Sequence, residues 1–352
     1  MSRFFSDNFK TLTPYTPGEQ PKEQKFIKLN TNESPFPPSE KAILAAEKAA
    51  KTLNLYSDPE LKAINQKIAE IKGVGETQVL ATNGSDEILN FAFMAFCDDE
   101  HPVVFPQITY GFYSVFAELH HIPYEEIPLC EDFTINVDDY IGINKNIFIA
   151  NPNAPTGIAL KLSDVERIVE SNPDNVVVID EAYVDFGGES SVCLVNKYDN
   201  LLVTQTFSKS RSLAGARLGF GIANEDLIRD LNTVRYSTNP YNVNSMTIAA
   251  GVGVLSDEEY TKLNCLKIIK TREYTKVELE KLGFFVLPSC ANFVFAKHER
   301  ISGEEIYQKL RENGILVRHF NKEKIKDYNR ITIGTDEQME TMITVLENIV
   351  KG

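Results

Sequence analysis

The sequence is short of cysteine, of positive charge and of long apolar runs, and each shortage argues against a class of protein. Its five cysteines form no C-x-x-C pair and no metal-ligand spacing with any of the five histidines. We therefore expect buried thiols in a reducing compartment and no metal site. No stretch approaches the roughly 20 apolar residues of a membrane span, and the start MSRFFSDNFK lacks the apolar core of a signal peptide. A soluble cytoplasmic protein is expected.

Positive charge is scarce, since 36 Lys and Arg stand against 50 Asp and Glu for a formal net charge of -14 at pH 7. Such a chain repels nucleic-acid backbones and anionic membrane surfaces, so neither is an expected partner. An anionic ligand would have to be held by local cations. The segment TFSKSRSLAGARLGFG, residues 206–221, carries three cations among small residues: Lys209, Arg211 and Arg217.

No G-x-G-x-x-G motif follows a predicted strand, which argues against a nicotinamide-dependent dehydrogenase. Short runs of branched apolar residues do alternate with helical stretches. Four of these runs, HPVVFP, NKNIFIANP, NVVVIDEAY and NLLVTQTFS, are apolar throughout. This pattern is typical of strands buried on both faces of a mainly parallel sheet that is sandwiched by helices. The predicted fold class is therefore α/β.

The length of 352 residues favours one large domain and a smaller one. We predict a helix that begins at the N-cap Ser39, another that ends at Gly73, and a third within GSDEILNFAFMAFC. The last part of the chain reads as strand, helix, strand, strand, helix, a small α+β domain. The predicted parts are an N-terminal arm at 1–38, a large domain at 39–250, a linking long helix at 251–283 and a small C-terminal domain at 284–352.

Three predicted strands lead into the polar turns NPNAPTG, DEAY and TFSKS. In parallel sheets, ligands bind beyond the carboxyl ends of the strands. Lys209 lies in such a turn, where desolvation and nearby cations would lower its pKa and make it a nucleophile able to form a Schiff base. The alternative is a lysine whose ammonium group extends to the turn surface.

Asp180 ends the apolar run VVVID, where a carboxylate needs a buried partner to stay charged. The protonated ring nitrogen of pyridoxal phosphate is such a partner. The alternative is an N-cap for a short helix at EAYVDF. Tyr183 would reach the same space and offer its hydroxyl to the cofactor's phenolic oxygen. Tyr110 would cover one ring face by stacking, or would simply be a core tyrosine.

The motif NGSDE precedes a predicted helix, so the backbone N–H groups of Gly84, Ser85 and Asp86 could bind a phosphate. Many helices begin in this way, and further donors would be needed. These would come from the opposite side of the site: Thr206, Ser208 and Arg217. The cations of residues 206–221 would then be ligands of an aldehyde and a phosphate.

Together these motifs resemble those of a known family. TFSKSRSLAG resembles, position by position, the Schiff-base lysine signature of the class II pyridoxal-phosphate aminotransferases, and NGSDE, NPNAPTG and DEAY occur in that family's order. The chain is similar to fold type I enzymes from end to end, and among them to the histidinol-phosphate aminotransferases. That subfamily is indicated by the segments LTPY, LNTNESPFPPS, LYSDP, YGFYSV, NPYNVN, ILVRHF and RITIGT.

The resemblance implies transamination between L-histidinol phosphate and 2-oxoglutarate in histidine biosynthesis, with pyridoxal 5'-phosphate as cofactor. Lys209 would hold the cofactor as an imine and shuttle the proton, Asp180 would pair with the pyridine nitrogen, and Tyr110 would stack on the ring. The family's enzymes are homodimers with shared active sites. Tyr56 would therefore reach the phosphate of the cofactor bound by the partner subunit.

One position departs from the family pattern. The family usually has Asn immediately before Pro-Thr-Gly, hydrogen-bonded to the cofactor's phenolic oxygen, whereas this chain has Ala154. Asn153 or Asn151 would take over the contact through a shifted turn, or Tyr183 would make it alone.

Two arginines are predicted to bind the substrate from the small domain. Arg330 opens the predicted strand RITIG, and Arg318 follows ILV. The resemblance implies that this pair, with Tyr15 and Asn32 of the arm, binds the phosphate of histidinol phosphate or a carboxylate of glutamate. A guanidinium group suits either anion. Surface salt bridges are the alternative for both arginines.

Three other functions are compatible with the same sequence. A threonine-phosphate decarboxylase would also present two arginines to a phosphate and a carboxylate, although YGFYSV and NPYNVN favour the transaminase by family likeness. A broad aromatic aminotransferase would differ in its amino donor. A non-catalytic binding protein is disfavoured because Lys209 and Asp180 are both present, and such a protein could lose either.

Overall fold

The computed structural model describes residues 2–10, 12–13, 18–20 and 26–351. Its strands are, in chain order, β1 (Ile27–Lys28), β2 (Val79–Thr82), β3 (Val103–Pro106), β4 (Tyr124–Ile127), β5 (Asn146–Ala150), β6 (Val177–Asp180), β7 (Leu201–Thr206), β8 (Gly219–Ile222), β9 (Phe284–Val286), β10 (Phe293–His298), β11 (Ile315–Leu316), β12 (Arg318–His319) and β13 (Tyr328–Thr332). Its α-helices are α1 (Glu40–Ala50), α2 (Lys62–Lys72), α3 (Ser85–Phe96), α4 (Phe112–Leu119), α5 (Leu162–Ser171), α6 (Glu225–Thr238), α7 (Ser245–Leu255), α8 (Glu258–Lys281), α9 (Gly303–Glu312) and α10 (Asp336–Lys351).

The central sheet has seven strands in the order β2-β8-β7-β6-β5-β3-β4. Neighbouring strands are parallel except where β8 pairs with β2 and β7. The four apolar runs predicted as buried strands are β3, β5, β6 and β7, and every residue of these strands is buried. This confirms the α/β class with a mainly parallel sheet.

Helices cover both faces of this sheet. Val177 and Ile179 of β6 belong to one apolar cluster, which includes residues of α2, α5 and α7. Val178, between them, belongs to another, which includes residues of α3, α4 and α6. Successive side chains of a strand point to opposite faces, so the two clusters lie on opposite sides of the sheet. Its strand ends are therefore left as the place where a ligand can enter.

The elements from β9 to α10, which we call the small domain, contain a second, antiparallel sheet in the order β12-β13-β10-β9. The segment FFVLPSCANFVFAK was predicted as one strand but forms two, β9 and β10. The reason is Pro288, which has no N–H to donate to a strand ladder and turns the chain after Leu287. The exact domain boundaries stay a prediction.

The N-terminal arm is attached to the small domain by its strand β1, which pairs in parallel with β11. Beyond β1, the N–H of Leu29 donates to the carbonyl of Leu316 at 2.8 Å, and its carbonyl accepts from the N–H of Thr332 at 2.9 Å. The arm then continues to Asn32, which contacts both Thr332 and Tyr183. The arm therefore connects the small domain to the turn that follows β6.

The predicted helix ends are present. The hydroxyl of Ser39 accepts a hydrogen bond from the N–H of Ala42 at 3.3 Å, and α2 ends at Gly73 with a φ of 68°. The long helical tract contains α7 and then α8, which leads into β9. Among the described residues, no helix combines the length and the apolarity needed to cross a bilayer.

The five cysteines are all free, but they are not all buried as expected. Cys97 and Cys265 are buried, Cys290 is half-buried, and Cys130 and Cys193 are exposed. Cys130 lies in the loop after β4 and Cys193 in a short turn at 191–194, and connecting segments of this kind run over protein surfaces.

Candidate active site

A cavity of about 480 Å³ lies where β5, β6 and β7 end. Each of these strands contributes its last residue to the wall: Ala150, Asp180 and Thr206. This is the position at which parallel sheets bind ligands. The predicted site residues that line the cavity are Ser85, Asp86, Tyr110, Asp180, Tyr183, Thr206, Ser208, Lys209 and Arg217.

Lys209 reaches this cavity from the turn after β7, rather than extending to the outer surface. Its Nζ donates to the backbone carbonyl of Thr31 at 3.1 Å and lies 5.9 Å from the centre of the Tyr183 ring. Burial, together with the positive charge of Arg330, lowers the pKa of Lys209 to about 8. A larger fraction of neutral amine is therefore present near neutral pH than for an exposed lysine, as a nucleophile requires.

Asp180 is only 4% exposed, and its carboxylate accepts hydrogen bonds from the hydroxyls of Tyr113 at 3.1 Å and Thr204 at 3.2 Å. Burial raises the pKa of Asp180 to about 6. Within residues 26–351, no cationic side chain forms an ion pair with it. The N-cap interpretation is wrong, because the short turn at 184–186 begins after Tyr183 and has no side-chain cap.

Tyr183 lines the cavity beside Lys209, and its hydroxyl oxygen accepts a hydrogen bond from Nδ2 of Asn32 at 2.9 Å. Burial raises the pKa of Tyr183. The amide oxygen of Asn32 accepts a hydrogen bond from the hydroxyl of Thr332 at 2.9 Å. Asn32 was predicted to bind substrate, but the structure engages both ends of its amide with protein side chains.

The start of α3 forms another part of the wall, through Ser85 and Asp86. Gly84 does not line the cavity but permits this arrangement, because its φ of 87° is one that other residues rarely adopt. A Cβ on Gly84 would also lie 2.6 Å from Nη2 of Arg217. That Nη2 donates to Oδ2 of Asp86 at 2.9 Å, and the hydroxyl of Tyr110 donates to Oδ1 of Asp86 at 2.7 Å.

Thr206 at the end of β7 and Ser208 in the turn after it line the same cavity as the start of α3. The Thr206 hydroxyl donates to the Ser208 hydroxyl at 3.0 Å, and both residues are buried. Backbone N–H groups at a helix start, two hydroxyls and the guanidinium of Arg217 are suitable donors for a phosphate.

A second cavity of about 310 Å³ adjoins the first and shares part of its wall with it. Arg318 and Arg330 both line it, together with Asn32 and the ring of Phe320. Nη2 of Arg330 donates to the carbonyl of Asn30 at 3.1 Å. The two arginines predicted for the substrate therefore come to one cavity, next to Lys209.

The structure does not bring Asn153 or Asn151 to either cavity. The amide nitrogen of Asn153 donates to the carbonyl of Ile108 at 2.9 Å, and its oxygen accepts from the Thr109 hydroxyl at 2.8 Å. Asn151 makes two bonds with the backbone of Leu160 instead. The shifted-turn prediction is therefore wrong for both residues. Ala154, which offers no polar side chain, lines both cavities.

Arg211 is an internal charge partner and not a ligand of the cavity. Its Nη1 lies 3.0 Å from Oδ2 of Asp185, and its Nη2 lies 3.5 Å from Oε1 of Glu258. Burial alone would raise the pKa of Asp185, but the charges of Arg211 and Lys72 hold it below its usual value. Of the three cations in residues 206–221, Lys209 and Arg217 are the two that line the cavity.

Comparison with known proteins now adds the family. The family model for aminotransferases of class I and II matches residues 24–346 of this chain. The chain belongs to the class I and II aminotransferases. A histidinol-phosphate aminotransferase of Brachyspira hyodysenteriae is 50% identical over 356 residues, which cover 100% of both chains.

Solved structures of an aminotransferase and of a decarboxylase share the fold. The histidinol-phosphate aminotransferase of Sinorhizobium meliloti, in complex with pyridoxal-5'-phosphate, matches with a TM-score of 0.91 at 23% identity, covering 100% of this chain and 98% of that one. An L-threonine-O-3-phosphate decarboxylase of Porphyromonas gingivalis matches with a TM-score of 0.81 at 20% identity, covering 93% and 100%. At these identities the likeness shows the fold alone.

One predicted residue of this aminotransferase lies away from both cavities, and another belongs to a part of the chain that is not described. Tyr56 lines neither cavity and is 83% exposed, with its ring 4.6 Å from that of Tyr241. Tyr15 lies outside the described residues.

Sequence reasoning missed three residues of the aminotransferase site. Tyr113 and Thr204 bond to Asp180, and the Thr31 carbonyl accepts from Lys209. Thr204 did leave a signal, because a hydroxyl interrupts the otherwise apolar start of NLLVTQT and its strand neighbour in register is Asp180. Thr31 acts through its backbone, for which no side-chain signal exists.

Proposed function

We propose that this aminotransferase uses pyridoxal 5'-phosphate to exchange an amino group between L-histidinol phosphate and 2-oxoglutarate in histidine biosynthesis, giving imidazole acetol phosphate and L-glutamate. One observation carries the proposal. A cavity that combines Lys209, Asp180 and the start of α3 adjoins a second cavity lined by Arg318 and Arg330. The first suits a phosphorylated aldehyde and the second suits an anionic substrate.

The residues of the first cavity fit the cofactor. Lys209 would supply the amine that binds its aldehyde. Asp180 would hold the protonated ring nitrogen, because a buried carboxylate with a raised pKa is stabilised by a cation beside it. The cofactor's phosphate would be held by the start of α3 together with Thr206, Ser208 and Arg217. Arg217 would then exchange part of its hydrogen bonding to Asp86 for bonding to the phosphate. We propose that Tyr110 covers the ring.

When bound, the cofactor supplies the electron sink that allows a proton to leave the α-carbon of the substrate. Lys209 would accept that proton on Nζ and return it to a neighbouring carbon. In the cofactor-free protein its pKa of about 8 lies near neutral pH, and an acid–base group is most effective when its pKa is close to the pH of the reaction. Tyr183 would offer its hydroxyl hydrogen to the phenolic oxygen, with Asn32 holding the hydroxyl in place.

The second cavity would bind both substrates in turn. Histidinol phosphate and 2-oxoglutarate are both anions, and the guanidinium groups of Arg318 and Arg330 can bind either a phosphate or a carboxylate. One pocket can therefore serve both halves of a ping-pong reaction. Tyr15 remains part of this proposal as a further substrate contact.

A homodimer with shared active sites is also part of the proposal. Leu55 and Tyr56 are 64% and 83% exposed, and Leu53 and Tyr241 nearby are also exposed. Large apolar side chains grouped on a surface favour a protein contact. In the dimer, Tyr56 would reach the phosphate of the cofactor held by the partner subunit. We further propose a cytoplasmic location, in keeping with five free thiols.

The reaction is tested by offering the cofactor-loaded protein a panel of amino donors with 2-oxoglutarate and measuring glutamate. Histidinol phosphate is expected to be the efficient donor, ahead of phenylalanine and tyrosine. Threonine phosphate is offered separately, and its products are examined for aminopropanol phosphate. Release of that amine would favour the decarboxylase, whose fold this chain shares. Equal use of the aromatic donors would favour the broad aromatic aminotransferase.

A further inference from the structure

We propose that Thr31 and Asn32 form a positioning element, which directs the Tyr183 hydroxyl into the cavity, holds the Lys209 amine and links both to the small domain. The inference rests on the proposed cofactor chemistry and assigns these two arm residues a positioning function within it. Asn32 also lines the second cavity, so its contact with substrate stays a prediction.

The hydrogen bond between Asn32 and Tyr183 fixes the direction in which the tyrosine donates. Nδ2 of Asn32 donates to the Tyr183 oxygen at 2.9 Å. A phenolic oxygen that accepts from an amide keeps its own O–H free to donate to another group. At the other end of the amide, Oδ1 accepts from the Thr332 hydroxyl, whose oxygen accepts in turn from the backbone N–H of Asn32 at 2.9 Å. The reversed amide would deprive the Thr332 hydroxyl of that acceptor.

The small domain anchors Asn32 from two sides. Thr332 ends β13, and the amide of Asn292, just before β10, donates to the carbonyl of Asn32 at 3.0 Å. Asn32, Thr332 and Asn292 are all buried. Asn32 also has a φ of 55°, in the left-handed region that asparagine tolerates better than most residues. The position of the small domain therefore sets the position of the Asn32 amide.

The residue before Asn32 contacts the other reactive group. The carbonyl of Thr31 accepts from Nζ of Lys209 at 3.1 Å, and Thr31 lines both cavities. Two consecutive arm residues thus contact Lys209 and Tyr183. If the small domain moved away from the large one, both contacts would be lost together.

The direction of the Tyr183 hydroxyl matters because Ala154, in the cavity wall, offers the cofactor no amide group. Ala154 lines both cavities without a polar side chain, while Asn151 and Asn153 are bonded elsewhere. Tyr183 therefore has to supply the hydrogen bond to the phenolic oxygen that those amides do not. A hydroxyl free to rotate would donate less of the time than one whose oxygen is already bonded.

The charged groups around Tyr183 and Lys209 come from several elements and include no part of Asn32. They are Asp180 of β6, Arg330 of β13, Asp86 of α3, Glu33 of the arm and Arg217 after the short turn at 214–216. Replacing the neutral Asn32 by Ala changes none of these charges. A change in the titration of the bound cofactor would therefore report the hydrogen bond.

The test is the pH midpoint of the visible absorbance of the protein loaded with pyridoxal 5'-phosphate. A donor to the phenolic oxygen stabilises its deprotonated form and lowers this midpoint. Tyr183→Phe is expected to raise it by about one pH unit, and Asn32→Ala by roughly half of that, as expected for one hydrogen bond. In the double variant, the midpoint should equal that of Tyr183→Phe alone, because Asn32 acts through Tyr183.

A matched control comes from the same arm. Asn30 is about as buried as Asn32, but its amide donates to the backbone carbonyl of Glu19 at 2.8 Å. Asn30→Ala should leave the midpoint unchanged. Thr332→Val keeps the shape of the anchor but removes its hydroxyl, so the pH midpoint should rise by less than in Asn32→Ala. This variant keeps the inference testable if Asn32→Ala does not fold, which thermal unfolding would reveal.

The possible results separate this inference from the proposed function. If the wild-type protein binds no cofactor at Lys209, the proposed function fails and this inference with it. If the wild type binds it but Asn32→Ala and Thr332→Val titrate like the wild type, the positioning inference alone is overturned. Additive shifts in the double variant would also overturn it, because they would mean that Asn32 acts independently of Tyr183.

Discussion

Among single residues, Lys209 and Asp180 have opposite pKa shifts for the same physical reason. Burial penalises a charge of either sign, so it lowers the pKa of the amine to about 8 and raises that of the carboxylate to about 6. In the cofactor-free protein, burial therefore favours the neutral Lys209 amine that a nucleophile requires, but disfavours the Asp180 charge that the proposed chemistry needs. A ligand with a cationic ring nitrogen would restore the negative charge of the Asp180 carboxylate. This is a physical reason for the site to bind such a ligand.

The covalent attachment is predicted to depend on Lys209 in particular. Lys209→Ala is expected to abolish trapping of pyridoxal phosphate by borohydride, measured by the mass of the intact protein, because Lys209 is the only lysine in the described part of the chain that lines the first cavity. Lys72 is a suitable comparison, since burial lowers its pKa as well but it does not line the cavity. Lys72→Met should trap the full amount, and full trapping by Lys209→Ala would contradict the assignment.

Two neighbours are predicted to move the pKa of Lys209 in opposite directions. The positive charge of Arg330 lowers it, and the negative charge of Glu33 raises it. In the cofactor-free protein, Arg330→Gln should therefore raise the pH midpoint of amine labelling, and Glu33→Gln should lower it. The rate of reductive labelling of Lys209 by a small aldehyde, followed against pH, measures both. Shifts of the same sign in the two variants would refute the electrostatic account.

Asp180 is predicted to reduce the stability of the cofactor-free protein. Its folded pKa of about 6 lies above the unfolded value of about 3.9, so the folded state binds this proton more tightly. Its contribution to stability therefore falls as the pH rises from about 4 to 6 and stays low above that. Asp180→Asn should raise the Tm at pH 8 by roughly 2–4 °C, and by less at pH 5.5.

The cofactor provides the control for that comparison. With pyridoxal phosphate bound as proposed, the wild-type carboxylate would have a cation beside it, so the wild type should gain more in Tm than Asp180→Asn. The variant should also lose most turnover, because an unprotonated ring withdraws electrons poorly. Near-normal turnover, or an equal gain in Tm, would count against the pairing of Asp180 with the ring nitrogen.

Lys209 and Asp180 could be predicted because each is a charged side chain beside an apolar run, a conflict visible in the sequence alone. Asn153 could not be placed correctly for a different reason. Its amide is hydrogen-bonded to Ile108 and Thr109, which lie more than forty positions earlier, and not directed into the cavity. A pattern of neighbours along the chain carries no information about such partners.

At the scale of elements, the start of α3 and the strand β8 depend on each other. A Cβ on Gly219, the first residue of β8, would lie 2.2 Å from the backbone nitrogen of Ser85. That nitrogen belongs to the predicted phosphate site, and backbone atoms cannot move aside as a flexible side chain can. The glycine therefore lets the helix start approach the sheet.

Gly219→Ala is accordingly predicted to displace the start of α3. Overpacking of this kind costs about 1–3 kcal/mol, so the Kd for pyridoxal phosphate should rise by about fivefold or more. Gly221→Ala, in the same strand, is the matched control, because the nearest atoms to a Cβ there are side-chain carbons at 3.2–3.3 Å and Gly221 does not line the cavity. Titration of both variants with the cofactor, followed by absorbance, compares them; equal affinities would show that the close approach has no functional weight.

Strands β8 and β4 were not evident from the sequence, each for a different reason. The buried strands β3, β5, β6 and β7 were predicted because both faces are apolar. β8 has the sequence GFGI, which reads as a turn, and its glycines serve close packing rather than strand propensity. β4, YEEI, lies at the sheet edge and is mostly exposed, so no apolar run marks it.

For the whole molecule, the site depends on contacts between distant parts of the chain. Asn32 and Thr332 are 300 positions apart, and together they hold Tyr183. The motif order indicated the family and its cofactor, but not that the arm would touch both reactive side chains. The exposed Tyr56 extends this dependence to a second chain. Its predicted ligand is the cofactor phosphate, but Tyr56 does not line the cavity of its own chain that would hold this phosphate.

A complementation experiment tests whether two subunits share each site. Tyr56→Phe and Lys209→Ala chains, coexpressed with different tags, would form mixed dimers in which one site has both wild-type residues and the other has neither. Random pairing should then restore up to about a quarter of the wild-type activity. Asp180→Asn mixed with Lys209→Ala is the control, since both residues line the cavity of one chain and no mixed dimer regains an intact site. Activity equal to the mean of the two parent variants would show that Tyr56 does not act across the interface.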